Sequence, residues 1–232
     1  MQKTLLVTTV VVFSVANVAW AIGPGPVPVP NHSFEDQGLG DGSSSDLLPV
    51  RTSGSPGWET TNGVKVYNPP GDGTPTQYSE PVPDGNHLLY METYNFLDLK
   101  AGAYMELDIQ EGWEYTVTVE LGGGQTANWG AIGEGVVQGY AIQDLTDPFG
   151  GNFDKVIDVA PVTPPLGWTT LSYSFTGEAR HAGYDLLVEL AESENSPTGY
   201  IHWDNLRVDA VPEPVSMTIL ALSSLGLFLR RR

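Results

Sequence analysis

Trp113-Glu-Tyr-Thr-Val-Thr-Val-Glu-Leu121 alternates between two kinds of residue. Tyr115, Val117, Val119 and Leu121 fall on one side, and Glu114, Thr116, Thr118 and Glu120 on the other. A period of two sends successive side chains to opposite faces of a strand, so the stretch predicts a half-buried β-strand with one wet face. The same pattern recurs at Met105, Leu107 and Ile109, at Leu171, Tyr173 and Phe175, and at Leu186, Val188 and Leu190. No window of about twelve residues carries the 3.6-residue apolar stripe of a helix. Turn signals separate the strands at Pro83-Asp84-Gly85, Glu111-Gly112 and Ser196-Pro197-Thr198-Gly199. Together these predict an all-β domain, an antiparallel β-sandwich of the jelly-roll kind. Residues 22–30, rich in Gly and Pro, are expected to be a spacer with little pairing, and 38–45 and 69–75 long surface loops.

Forty-one per cent hydrophobic residues, with ten tyrosines and six tryptophans, supply a packed core in spite of 27 glycines and 18 prolines. The net charge of −18 repels phosphate backbones, so nucleic acid is not an expected partner. Dense carboxylates favour divalent cations or serve solubility alone. Without cysteine the domain has neither disulfides nor thiolate metal sites, and must hold together by burial and any metal it binds.

Both ends read as processing segments. Lys3, the apolar run Leu5 to Val15 and the small-x-small pattern Ala19-Trp20-Ala21 predict an N-terminal signal helix over 1–21, cut by signal peptidase before Ile22. This leaves 22–208 for the β-sandwich domain and 209–214 as a linker. At the other end Pro212-Glu213-Pro214 precedes the apolar stretch Val215 to Leu229 and Arg230-Arg231-Arg232, which predicts a C-terminal transmembrane helix over 215–232 with its basic end in the cytoplasm. This order of elements resembles the PEP-CTERM sorting signal. The resemblance implies exosortase as a processing partner, and an exported precursor anchored in the inner membrane of a Gram-negative bacterium, then displayed at the cell surface or in an exopolysaccharide matrix.

The segments Val29-Pro-Asn-His-Ser-Phe-Glu35 and Ile201-His-Trp-Asp-Asn-Leu-Arg-Val208, with Pro56-Gly57-Trp58 and Pro83-Asp84-Gly85 between them, resemble the galactose-binding-like jelly rolls of carbohydrate-binding modules and Stig cyclases. The resemblance implies that the first and last strands lie side by side and that a carboxylate from each end helps to hold a structural Ca2+ ion. Glu35 and Asp204 match those positions, and Asn31 and Asp36 are candidates to complete the shell, since calcium takes six to eight oxygens. The alternative is that Glu35 and Asp204 only bind turn amides. In the Stig cyclases an Asp of a terminal Phe-Asp-Asn type motif acts as the acid that promotes rearrangement of an indole alkaloid. Asp204 aligns with it, with Trp203 in place of the usual Phe.

Sugar rings stack on indole and phenol faces. Trp113, Trp129, Tyr140 and Tyr94 are therefore the candidate ligand-binding residues, and Trp129 lies in the flexible, polar setting of residues 122–130. The four scattered histidines show no zinc spacing, and no Gly-x-Ser-x-Gly elbow is present. The resulting expectation is a non-enzymatic, calcium-stabilised envelope protein that binds extracellular polysaccharide. A structural surface protein without a small ligand is the alternative, and a cyclase or lyase working through Asp204 is ranked last.

Overall fold

The computed structural model describes residues 24–45, 55–61, 64–69, 81–92, 99–123, 131–193 and 199–212. Two sheets face each other. The larger runs β11 (Gly167–Thr176), β7 (Trp113–Gly123), β13 (Gly199–Pro212), β5 (Leu88–Glu92), β4 (Val64–Tyr67) and β2 (Ser44–Ser45), and β1 (Gly25–Val27) and β8 (Ala131–Ile132) also pair with β13. The smaller runs β10 (Phe153–Asp158), β9 (Gly135–Ile142), β12 (Asp185–Glu192), β6 (Lys100–Met105) and β3 (Gly57–Thr60). All pairings are antiparallel except that of β8 with β13. This is the expected all-β sandwich, in an arrangement consistent with a jelly roll. Among the described residues the only helical pieces are short 3-10 turns at Glu35–Gln37 and Ala179–His181, and no helix there is long and apolar enough to cross a membrane. The expected signal helix and transmembrane helix, with Ala19, Ala21, Glu213 and Pro214, lie outside the described residues.

The alternation in β7 reads through to the structure. Tyr115, Val117, Val119 and Leu121 are buried between the sheets, and Leu186, Val188 and Leu190 of β12 meet them from the other side in the same core. Trp58 and Trp203 are its largest members, both without exposed surface. Trp58 packs against Phe34 with the rings tilted by 52° and their centroids 5.2 Å apart, and it donates its indole N–H to the Pro30 carbonyl at 2.6 Å, which fixes the N-terminal segment to β3.

Four expectations need correction. Of the expected 209–214 linker, residues 209–212 instead complete β13, paired in register with Thr116 to Trp113 of β7. Residues 22–30 are not a free spacer, because Gly25, Pro26 and Val27 pair with Ala210, Asp209 and Val208. Pro26 is tolerated there because β1 is an edge strand. The 38–45 segment includes β2, which pairs with Val66 and Tyr67. The strand predicted through Leu107 and Ile109 stops at Met105: Leu107 N–H turns to the Asp185 carboxylate, Ile109 N–H bonds to the Tyr184 carbonyl, and Asp108 adopts φ 52°. Leu107 and Ile109 are still buried, so the periodicity located core residues but not the strand end.

Replacing Trp203 by Ala empties the largest buried position on β13 and is expected to cost about 3–5 kcal/mol, whereas Phe153→Ala, at a site 42% exposed, is expected to stay within about 0.5 kcal/mol. Urea unfolding of the two variants checks both values.

Candidate functional site

β13 carries an irregularity that shapes one end of the larger sheet. Asp204 pairs with Glu120 but Arg207 pairs with Thr118, so β13 has one residue more than β7 in this interval, and Asn205 sits at φ 53° to accommodate it. Before the bulge Ile201 and Trp203 point into the core; after it Leu206, Val208 and Ala210 do. His202 and Asp204 are thereby left on the outer face of the sheet, where solvent is expected, yet their exposures are 1% and 0%.

An aromatic layer covers His202. In register across four strands stand Trp168 of β11, Gly122 of β7, His202 of β13 and Tyr90 of β5. Gly122 makes the row possible: a Cβ there meets the Trp168 ring at 2.7 Å, so its absence lets the indole lie across the strand toward the imidazole. Tyr67, Leu88 and Tyr90 form a cluster on this face with Val82, Trp168 and Tyr200 packed against it, and the Tyr67 and Tyr90 rings meet edge to face at 6.1 Å. Burial pushes the His202 pKa down to about 3, so the ring is neutral.

The loop that continues from Val82 covers Asp204. The Asp84 N–H donates to Asp204 Oδ2 at 2.8 Å and the Asn205 N–H to Oδ1 at 2.7 Å. Burial raises the Asp204 pKa; the two amides oppose the shift, the Asp84 and Glu35 carboxylates add to it, and the result is pushed up to about 8. Asp204 is a neutral carboxylic acid at pH 7. Glu35 ends in the opposite state. Burial opposes its ionisation too, but Oε1 accepts the Asn86 and His87 amides at 2.6 Å each and Oε2 accepts the His87 imidazole, so its pKa falls below 4.5. His87 Nε2 accepts the Leu39 N–H at 3.1 Å, which leaves the proton on Nδ1, facing Glu35. Asp84 meets His32 at 3.3 Å and Arg207 at 3.8 Å at the rim.

Glu35 and Asp204 do lie at one end of the domain, beneath the same 83–87 loop, as the resemblance implied. Their oxygens face N–H donors, and Asn31 Oδ1 accepts the Asp36 N–H at 3.1 Å. A calcium ion at this end has to compete with those donors, and among the described residues no three His, Asp or Glu side chains group as metal ligands. The two candidate aromatics among the described residues lie on different sheets. Trp113 begins β7 in the larger sheet and packs against the core, Tyr140 stands on β9 of the smaller, and Trp129 and Tyr94 lie outside the described residues. Sequence reasoning passed over His202, Tyr90, Trp168 and Tyr200. The available signal was His202 two places before Asp204 on a strand whose intervening Trp203 is core, which puts both on one face.

The geometry defines a β-sandwich with a buried acid and, two residues away on the same strand, an aromatic-walled imidazole. Residues 25–209 match the HpiC1-like family model, described as HpiC1 cyclase, and the chain belongs to that family. A Stig cyclase, Fisc, from Fischerella sp. TAU, solved in complex with (3Z)-3-(1-methyl-2-pyrrolidinylidene)-3H-indole, superposes with a TM-score of 0.59 at 18% identity, over 81% of this chain and 98% of that one. An apo cyclase from Fischerella sp. gives 0.58 at 17% identity, over 81% and 96%. At such identities the likeness is one of fold. The carbohydrate-binding module TmCBM61, solved with β-1,4-galactotriose, aligns at 0.43 and 16% identity over 79% and 96%. No curated protein matches the sequence. The expectation of a non-enzymatic protein, with a cyclase ranked last, is overturned by this match: the family to which the chain belongs points to a cyclase enzyme.

The two shifted groups set a pH dependence. Asp204 keeps its proton in the folded state up to about 8 but loses it in the unfolded chain near 3.8, so its contribution to stability declines as pH rises across that interval. His202 is protonated below 6.5 only when unfolded, so its contribution declines as pH falls from 6.5 toward about 3. The slopes oppose each other between 3.8 and 6.5, and above 6.5 that of Asp204 acts alone. Urea unfolding at intervals from pH 6.5 to 8 is expected to show a falling free energy in the wild type and a flatter profile in Asp204→Asn; parallel profiles refute the assignment.

Proposed function

We propose that this protein is a cyclase that closes a carbon ring by proton transfer on the outer aromatic face of its larger sheet. The observation that carries the reading is the pair of oppositely shifted groups on one strand, a neutral carboxyl at Asp204 and a neutral imidazole at His202, beside aromatic walls in a chain of a cyclase family. Groups whose environments drive their pKa values apart are the natural acid and base of a site.

In this reading Asp204 gives its proton to one carbon of a substrate double bond. The positive charge that forms on the neighbouring carbon faces the π surfaces of Tyr90, Trp168 and Tyr200, which stabilise a cation without being able to trap it. A second π bond of the substrate attacks the cationic carbon, closing the ring, and His202 accepts the proton released as the π system is restored. One proton enters and one leaves, so product and substrate are isomers, and solvent returns the proton to Asp204. Because Asp204 has no exposed surface, substrate reaches it when the 83–87 loop opens, and the hydrogen bond from Asp84 couples that opening to the acid. Gly85, at φ 74° against the Glu35 side chain, is the point where the loop turns. The indole compound bound by the Fischerella cyclase supports an indole bearing an alkenyl chain as the first substrate class to try.

With such an alkenyl indole and the full chain, the expected product has unchanged mass and one more ring by NMR. Asp204→Asn is expected to lower kcat about a hundredfold or more, and kcat/KM to fall above pH about 8 as the acid ionises. If turnover persists in Asp204→Asn well below its melting temperature, Asp204 is a structural clasp and not the acid.

The calcium staple is an alternative reading of the same end of the domain, supported by the placing of Glu35 and Asp204 there and exclusive of the acid role, because a bound cation ionises Asp204. A metal that binds only the native state raises the Tm. Melts in EDTA and in millimolar calcium are expected to differ in the wild type and to coincide in Glu35→Gln; coincidence in the wild type leaves the amides and His87 as the staple.

A further inference from the structure

The smaller sheet carries an aromatic surface on the opposite side of the sandwich from His202. Its outer face is not wet where β12, β9 and β6 adjoin: Tyr104, Ile142, Leu145 and Leu187 are buried there, with Tyr140 packed against them. Over this floor stand two further rings. Phe149 meets Tyr140 at 5.6 Å and 89°, Phe153 meets Tyr140 at 6.2 Å and 66°, and the two phenylalanines meet each other at 5.3 Å and 87°. They are nonetheless 48% and 42% exposed.

The connection between β9 and β10 that presents Phe149 is braced by its own hydrogen bonds. Gln143 N–H donates to the Asn152 carbonyl at 3.2 Å and the Asn152 amide to Gln143 Oε1 at 3.1 Å. Asp144 accepts the Thr146 N–H and hydroxyl, both at 2.7 Å, and Asp147 accepts the Gly150 N–H at 2.9 Å. Lys155 holds its ammonium 5.6 Å from the Tyr140 centroid, and the Tyr140 hydroxyl donates to Gln138 Oε1 at 2.5 Å. The rings are therefore held in place before any ligand arrives, which lowers the entropic cost of binding.

Rings set at right angles make a corner, and a corner presents two apolar walls at once. A pyranose ring has apolar C–H faces that stack on such walls and hydroxyls at its edge that need both donors and acceptors. The rim offers both, the amides of Gln143 and Asn152 and the Lys155 ammonium beside the carboxylates of Asp144 and Asp147. Charge selects against other occupants: Asp144 and Asp147 lie in the connection that presents Phe149, the one ammonium beside Tyr140, that of Lys155, is already paired with Asp158, and the chain's net charge of −18 repels phosphates and a second copy of itself. We infer that Tyr140, Phe149 and Phe153 form a docking site for neutral polysaccharide, on the other side of the sandwich from the His202 face and independent of the cyclase reading.

Native gel electrophoresis of the full chain through dextran, galactan and mannan tests this. At least one of the three is expected to retard the wild type, and Phe149→Ala and Phe153→Ala are each expected to weaken that retardation about tenfold, with Tm and alkenyl-indole turnover unchanged. Free migration in all three polymers, or equal retardation of wild type and both variants, overturns the site. Light scattering that finds a wild-type dimer dissociated by Phe149→Ala overturns it as well, and assigns the corner to self-association.

Discussion

Hydrogen bonding along both edges of β13 is the constraint on which the larger sheet depends. On one side β7 follows this strand from His202 to Pro212; on the other β5 and then β1 share it, from Tyr200 to Trp203 and from Val208 to Ala210. The strand joins residues near 25, 90, 115 and 210 of the chain, so the sheet cannot be completed before the last described segment is in place. Pairings so distant in sequence carry a large loop-closure cost, and the aliphatic and tryptophan core beneath them is what offsets it.

The bulge in this strand turns the scaffold into a site. One extra residue moves Leu206, Val208 and Ala210 to the inner face and leaves Asp204 outside, held by one amide from the covering loop and one from Asn205 of the bulge itself, with no cation among the described residues in contact with the carboxylate. Glu35, under the same loop, receives two amides and an imidazole. Two acids within one neighbourhood therefore hold opposite protonation states, and the number of N–H donors weighed against burial decides which is which. A buried proton on Asp204, two residues along the strand from the aromatic row at His202, suits chemistry through cations, and an ionised Glu35 suits a structural tie to His87.

Much of the scaffold was legible in the sequence because burial on one face of a strand leaves a period of two, which β7 and β12 display without ambiguity. The ends of β6 and β1 were not, since they depend on a carboxylate from Asp185 and on a partner strand some 180 residues away. At the site, Asp204 was found through the motif around it. Its protonation was not, because a pKa depends on what covers the group, and the cover comes from residues 83–87. The aromatic row was hidden for a similar reason: Trp168, Gly122, His202 and Tyr90 become neighbours only through register. Phe149 and Phe153 lack alternating neighbours, and only their mutual geometry singles them out.

The pairing of β1 with β13 also fixes how the domain answers mechanical load. Gly25 lies beside Ala210, so the first described strand and the end of the last run side by side, with their outer ends together. Tension applied through both segments meets the three residue pairs of this ladder one after another, as a zipper is opened, and not all at once in shear. Such a ladder yields at low force, and the first structural change under tension is the release of β1. Its neighbour in sequence is the 28–35 stretch that leads to Glu35, so a pull applied at Gly25 and Ala210 is transmitted first to the loop above the buried acid.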